Sequence, residues 1–60
     1  MFKNDNVEIQ AQDGTGNWRT FNYVLNDPQR ILNEMRQLSN NYPNARVRAV
    51  DSYGRIVDIL

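Results

Sequence analysis

The chain has no cysteine and no histidine, only two prolines and three glycines, and no long run of apolar residues. It therefore has no disulfide, no thiol nucleophile and no Cys/His zinc ligands. General acid–base chemistry near neutral pH relies on histidine or on a carboxylate in a water-excluded pocket, and 60 residues leave little room for such a pocket. We expect a protein that is not an enzyme and uses no metal or cofactor.

An excess of charge of either sign is also lacking, because seven basic residues balance seven acidic ones. Affinity for nucleic-acid phosphates comes mainly from clustered positive charge, so a nucleic-acid partner is possible but not favoured. No segment approaches the ~20 apolar residues that cross a bilayer, and the start of the chain lacks the apolar stretch of a signal peptide. We expect a cytoplasmic protein without a membrane partner.

The chain does contain enough apolar residues for one small core, since 40% of its residues are hydrophobic. Folding at this length covers only about 60% of the surface that the unfolded chain exposes. We expect one domain over residues 1–60 with marginal stability, and self-association would support such a domain. Residues 1–5 precede the first predicted strand, and disorder is one expectation for them.

The pattern Ala-x-Asp-x-x-Gly occurs twice, and each copy predicts a β-hairpin. Its glycine stands where a three-residue loop needs a positive φ, and its aspartate stands where a carboxylate accepts hydrogen bonds from loop N–H groups. The copies comprise Ala11, Asp13 and Gly16, then Ala49, Asp51 and Gly54. The predicted strands cover 6–12 and 18–25 in the first hairpin, and 45–51 and 55–60 in the second.

The turns also predict the register, with Asp13 opposite Asn17 and Asp51 opposite Arg55. Uninterrupted pairing from these points pairs Ile9 with Phe21 and Arg48 with Asp58. It gathers apolar side chains on one face of each hairpin: Val7, Ile9, Phe21 and Tyr23 in the first, and Val47, Ala49, Val57 and Ile59 in the second. A slip of one residue would turn every side chain to the other face, so turn chemistry and alternation support each other.

One helix is predicted between the hairpins, over residues 28–40. Asp27 is a typical N-cap and Pro28 a typical first helical residue. Glu34 falls on the solvated side. The apolar stripe at helical spacing comprises Ile31, Leu32, Met35, Leu38 and Tyr42.

The resulting fold class is α+β, a single ββαββ domain in which two hairpins form a four-stranded sheet and the helix packs on one face. The strand order stays open. The second and third strands fit as parallel neighbours joined by a right-handed crossover, and the first or fourth strand fits equally well at the centre.

The sheet face away from the helix is the candidate functional surface, because alternation places apolar residues among charges there. We expect apolar anchors that lose their water on binding, and arginines that orient partner carboxylates. The predicted partner-binding residues are Trp18, Arg46, Arg48, Val50, Ile56 and Leu60. The plainer alternative is that Arg48 pairs with Asp58 while the arginine stems cover the aliphatic side chains.

These observations predict a small protein-interaction module that binds a protein partner or itself, with a homodimer expected. One alternative is a single-stranded nucleic-acid binder that uses Trp18, Tyr53 and the strand arginines, which are Arg19, Arg46, Arg48 and Arg55. Another is a small inhibitor or regulator that acts through an exposed strand edge. A metal or phosphate role for the loop 13–17 is not favoured, because only Asp13 is charged and the loop leads into a strand.

Overall fold

A computed structural model of the protein describes residues 6–60 and has the predicted ββαββ order. The expectation about order in residues 1–5 lies outside these described residues. Four strands form one antiparallel sheet with one helix, an α+β fold as predicted. The elements are β1 Asn6–Gln12, β2 Trp18–Leu25, α1 Pro28–Asn41, β3 Val47–Val50 and β4 Ile56–Ile59. Within the described part of the chain, no helix is long and apolar enough to cross a membrane.

The strand order is β2-β1-β3-β4, which answers the question that sequence left open. The two central strands, β1 and β3, carry the most completely buried side chains of the sheet. Their helix-facing residues are each 4% exposed or less: Val7, Ile9, Ala11, Val47 and Ala49. Placing these strands at the centre removes the most apolar area from water, and it leaves the edges to β2 and β4.

The pairing of β1 with β3 is symmetric about Gln10 and Arg48, which lie opposite each other. These residues occupy equivalent positions, each directly before the alanine of the repeated turn pattern. Because β1 and β3 are antiparallel, the two hairpin turns lie at opposite ends of the sheet.

Both hairpin turns have the predicted geometry. Gly16 and Gly54 have φ values of 92° and 80°. Their N–H groups donate to the carbonyl oxygens of Asp13 and Asp51 at 3.1 and 3.0 Å. The repeated pattern therefore encodes the same loop twice, as a type I turn followed by a left-handed glycine.

The turn aspartates hold the loops together through several hydrogen bonds. Asp13 Oδ1 accepts from the Thr15 hydroxyl at 2.6 Å, and its Oδ2 accepts from Arg19 Nε at 3.1 Å. Asp51 accepts from the backbone N–H of Arg55 at 2.9 Å and from its Nε at 3.0 Å. The Thr15 bond above all holds the pKa of Asp13 well below its usual range, and the Arg55 N–H lowers the pKa of Asp51.

The predicted register of the first hairpin is correct next to the turn and wrong beyond it. Thr20 lies opposite Gln10 as expected, but Ile9 faces Asn22, so Phe21 is an extra residue in a β-bulge. Beyond the bulge, each side chain of β2 points to the face opposite the one predicted. Val24 packs against the core in place of Tyr23.

The second hairpin has the same kind of interruption. Ile56 pairs with Val50 as predicted, but Asp58 lies opposite Ala49, so Val57 is the extra residue. The expected Arg48–Asp58 pair is therefore wrong. Arg48 instead faces Ile59, which moves from the predicted helix side to the opposite face.

A polar side chain follows each bulge and accepts the next N–H of its strand. Asn22 Oδ1 accepts from Tyr23 N, and Asp58 Oδ1 accepts from Ile59 N, both at 2.9 Å. Both strands lie at sheet edges. A strand N–H bonded in this way is less available to an incoming strand, and a bulged edge pairs poorly.

The helix begins as predicted, with Asp27 accepting from the N–H of Arg30 at 3.3 Å and proline in the first turn. Its buried residues are Ile31, Met35 and Leu38. Glu34 is half-buried, and its carboxylate accepts a hydrogen bond from Asn22 Nδ2 at 2.8 Å, which joins the helix to β2.

The helix lies over β2, β1 and β3 but makes no close approach to β4 within residues 6–60. The edge strand β4 is therefore not covered by the helix. All four residues of β4 are exposed.

Candidate functional site

The side of the sheet turned away from α1, called the open face below, is built by alternate residues of all four strands. Its rows follow from the register, because directly paired residues point to the same side. The open-face residues are Asn6, Glu8, Gln10, Gln12, Trp18, Thr20, Tyr23, Leu25, Arg46, Arg48, Val50, Ile56 and Ile59.

A groove of about 340 Å³ lies at the β3–β4 side of the open face. Its lining residues are Trp18, Arg46, Arg48, Ile56, Ile59 and Leu60. Five of the six residues predicted from sequence thus come together in one place. Val50 does not line the groove and is only 7% exposed. Ile59 was missed because the bulge reverses its direction.

The sequence contained one signal for the two bulges. Asn22 and Asp58 directly follow the extra residues, and asparagine and aspartate are unusual inside regular strands. Each therefore indicates an interruption of the strand pairing. An interruption before Asp58 places Ile59 on the open face.

Arg48 is held in a defined position at the floor of the groove. Its guanidinium carbon lies 4.0 Å from the centroid of the Trp18 ring, within cation–π range. Its Nε donates to Gln10 Oε1 at 2.8 Å. Within residues 6–60, no hydrogen bond uses the terminal nitrogens of Arg48, so they remain as the donors of a fixed guanidinium.

A chain of polar groups fixes Gln10 in turn. Its Nε2 donates to Thr20 Oγ1 at 3.1 Å and to Glu8 Oε1 at 3.2 Å. The Thr20 hydroxyl donates to the same carboxylate oxygen at 2.6 Å. The only carboxylate of the open face among residues 6–60 is thus bonded to Gln10 and Thr20, and it makes no ion pair with Arg48.

Unlike Arg19, Arg30 and Arg55, the two arginines of the groove have no acidic partner among residues 6–60. Arg19, Arg30 and Arg55 form ion pairs with aspartates at 3.1, 3.9 and 3.0 Å. In the described chain, no aspartate or glutamate side chain lies within 4 Å of Arg46 or Arg48, and none lines the groove. The groove is therefore locally cationic on a protein with no net charge.

The other wall of the groove is aliphatic and open to solvent. Ile56, Ile59 and Leu60 are 52%, 64% and 50% exposed. Exposed aliphatic side chains are common singly, but three together beside a tryptophan form a patch of the kind found at binding sites.

The two aromatic residues of the nucleic-acid hypothesis do not share one site. Trp18 follows the first turn and Tyr53 lies in the second, and these turns are at opposite ends of the sheet. Arg48 covers one face of the Trp18 ring, and the Arg55 guanidinium lies 5.2 Å from the centroid of Tyr53. Of the strand arginines, Arg19 and Arg55 are engaged by turn aspartates.

A second recess, of about 240 Å³, lies on the helix side next to β2. Phe21 and Tyr42 meet there with their ring centroids 5.3 Å apart, and each is 47% exposed. Glu34 also lines this recess, but Asn22 already binds its carboxylate. Residues 6–60 contain no cluster of three or more acidic side chains that could hold a metal ion.

Comparison of the chain with protein-family models, curated proteins and solved structures finds no match.

Proposed function

We propose that the protein is a small interaction module that binds a partner protein through the groove of the open face. The observation that carries this proposal is the pair Arg46 and Arg48. These arginines have no acidic partner among residues 6–60, and they lie beside an exposed aliphatic wall. An unpaired arginine by itself is ordinary at a surface, as Arg36 shows, but here two unpaired arginines share a groove with three exposed aliphatic side chains.

The composition of the groove agrees with a protein partner. Tryptophan and arginine are the residue types most enriched among those that dominate binding energies at protein interfaces. Here Trp18 and Arg48 are in contact and are surrounded by aliphatic residues that lose water on binding. Gln10 and Thr20 provide a polar border, as is usual at the rim of an interface.

The other binding modes receive less support. Stacking of successive bases needs neighbouring aromatic platforms, and Trp18 and Tyr53 lie at opposite ends of the sheet. Strand addition needs a regular free edge, whereas β2 and β4 are both bulged and their next N–H groups are bonded to side chains. The face of the sheet is the better binding surface.

The proposal is tested by site-specific photocross-linking in extract from cells that produce the protein. A photoreactive amino acid replaces Ile59 in the groove, and a control replaces Gln29, which is exposed on the helix. We expect discrete protein adducts from position 59 that disappear when Trp18→Ala is also present. Equal adducts from positions 59 and 29, or no adducts from either, would contradict the proposal.

A further inference from the structure

We infer that the groove binds an acidic segment of the partner, in which a carboxylate lies next to an aliphatic side chain. This inference rests on the proposed function and specifies the chemistry of the partner. The carboxylate would bind between Arg46 and Arg48, and the aliphatic side chain would pack on Ile56, Ile59 and Leu60.

The position of Arg48 favours a carboxylate. Stacking on Trp18 and the bond from Nε to Gln10 fix the plane of the guanidinium before any partner arrives. Its terminal nitrogens then form a preorganised fork, which matches two carboxylate oxygens. Less side-chain entropy is lost on binding than for a mobile arginine.

The aliphatic wall requires more than a charged group from the partner. Ile56, Ile59 and Leu60 line the same groove as the arginines, so a bound segment would cover apolar area and exclude water from the ion pair. Exclusion of water strengthens the electrostatic interaction. A segment that is only acidic, or only apolar, would use half of the groove.

A second copy of this chain is a poorer occupant, because symmetric contact would bring Arg46 and Arg48 against the same residues. An asymmetric contact would need a carboxylate that reaches the groove of a second copy. Every acidic side chain among residues 6–60 already accepts a hydrogen bond within the fold: Glu8, Asp13, Asp27, Glu34, Asp51 and Asp58. Any of them would have to share its carboxylate between that bond and the groove.

The test is selection of eight-residue segments from a displayed random library by the immobilised protein. We expect the selected segments to be enriched in aspartate or glutamate next to leucine, isoleucine or valine. For the best segment, Arg48→Gln should weaken binding about tenfold or more, and replacement of its acidic residue by the matching amide should have a similar effect.

Arg36→Gln is the matched control, since Arg36 is an exposed helix residue without an ion pair in residues 6–60. It should change binding by less than about twofold, the effect of a surface site away from the interface. Both variants should unfold at nearly the wild-type temperature, so that weaker binding is not a folding defect.

The failures of the two proposals are distinguishable. Selected segments that are neutral, basic or rich in proline would overturn the acidic partner and leave a protein-binding groove. The inference would also be overturned if Arg48→Gln bound as tightly as wild type, or if no segment were selected while position 59 still formed cross-links. Loss of both selection and cross-linking would overturn the proposed function as well.

Discussion

Six residues in this chain are arginine, and their immediate neighbours decide what each of them does. Arg55 belongs to a turn whose aspartate reaches its side chain, and Arg30 is three residues from the N-cap Asp27. Arg46 directly precedes β3 and Arg48 lies within it, and neither forms an ion pair among residues 6–60. The protein therefore has a local excess of positive charge in the groove although its net charge is zero. This local charge supports the proposed binding of an acidic partner.

Asp13 should contribute to the pH dependence of stability in acid. The fold lowers the pKa of Asp13, mainly through the Thr15 hydroxyl. Its stabilising effect is therefore complete above the ordinary aspartate pKa of about 4, and is lost as the pH falls from there through the lower pKa of the folded protein. Asp13→Asn should flatten the pH dependence of the urea unfolding midpoint in this acidic range. An unchanged slope would show that the hydrogen bonds of this turn do not stabilise the ionised form of Asp13.

Gly14 and Gly16, two glycines of the first turn, should respond differently to replacement by alanine. Gly16 has a φ of 92°, whereas Gly14 does not have a positive φ. An added Cβ at Gly14 would have no atom within 4 Å. Gly16→Ala should lower the free energy of unfolding by about 1–2 kcal/mol, while Gly14→Ala should have little effect or stabilise by up to about 1 kcal/mol. Urea denaturation measures both, and equal losses would contradict the turn geometry.

Among the secondary-structure elements, the strands deviate most from the uninterrupted alternation that the sequence predicts. Alternation predicts a strand well while every residue takes part in the ladder, but Phe21 and Val57 each add one residue. Both lie in edge strands, where only one neighbour constrains the backbone. An edge strand tolerates a bulge more easily than a central one, and the bulge also makes the edge less available for pairing.

A pair of alanine substitutions tests the bulge in β2. Val24 packs against the core, whereas Tyr23 is 63% exposed on the open face. Val24→Ala should lower the free energy of unfolding by about 1 kcal/mol, the lower end of the cost of removing buried methyl groups. Tyr23→Ala should change it by about 0.5 kcal/mol or less. The opposite order in urea denaturation would favour the uninterrupted register.

At the scale of the whole molecule, one helix over a four-stranded sheet leaves half of the sheet surface without cover. The helix lies over three strands, so β4 depends on its pairing with β3. Small domains often bury such a face by self-association, and the sequence alone favours a homodimer. The unpaired arginines favour a different protein as the partner.

Oligomeric state gives the corresponding test. We expect light scattering to show the 7.0 kDa monomer over about a hundredfold range of protein concentration, with a constant melting temperature. Like charges would oppose symmetric contact of two grooves, and both sheet edges are bulged. A mass that doubles, with a melting temperature that rises with concentration, would show instead that a second copy occupies the face.

Features that depend on local chemistry could be predicted from the order of the residues alone. Two turns, the N-cap at Asp27 and the apolar stripe of α1 depend on residues close together in the chain, and all were predictable. The ββαββ order follows from them. Five of the six groove residues were also identified, because they lie beside the turns or on strands whose alternation holds.

Three features depend instead on contacts between residues far apart in the chain: the strand order, the two bulges and the environment of the arginines. The central position of β1 and β3 depends on the total area buried, to which distant residues contribute. The bulges move Ile59 to the open face, and the stacking of Arg48 on Trp18 joins two hairpins. Such contacts between distant residues have no local pattern, so sequence indicated the face while packing defined the groove.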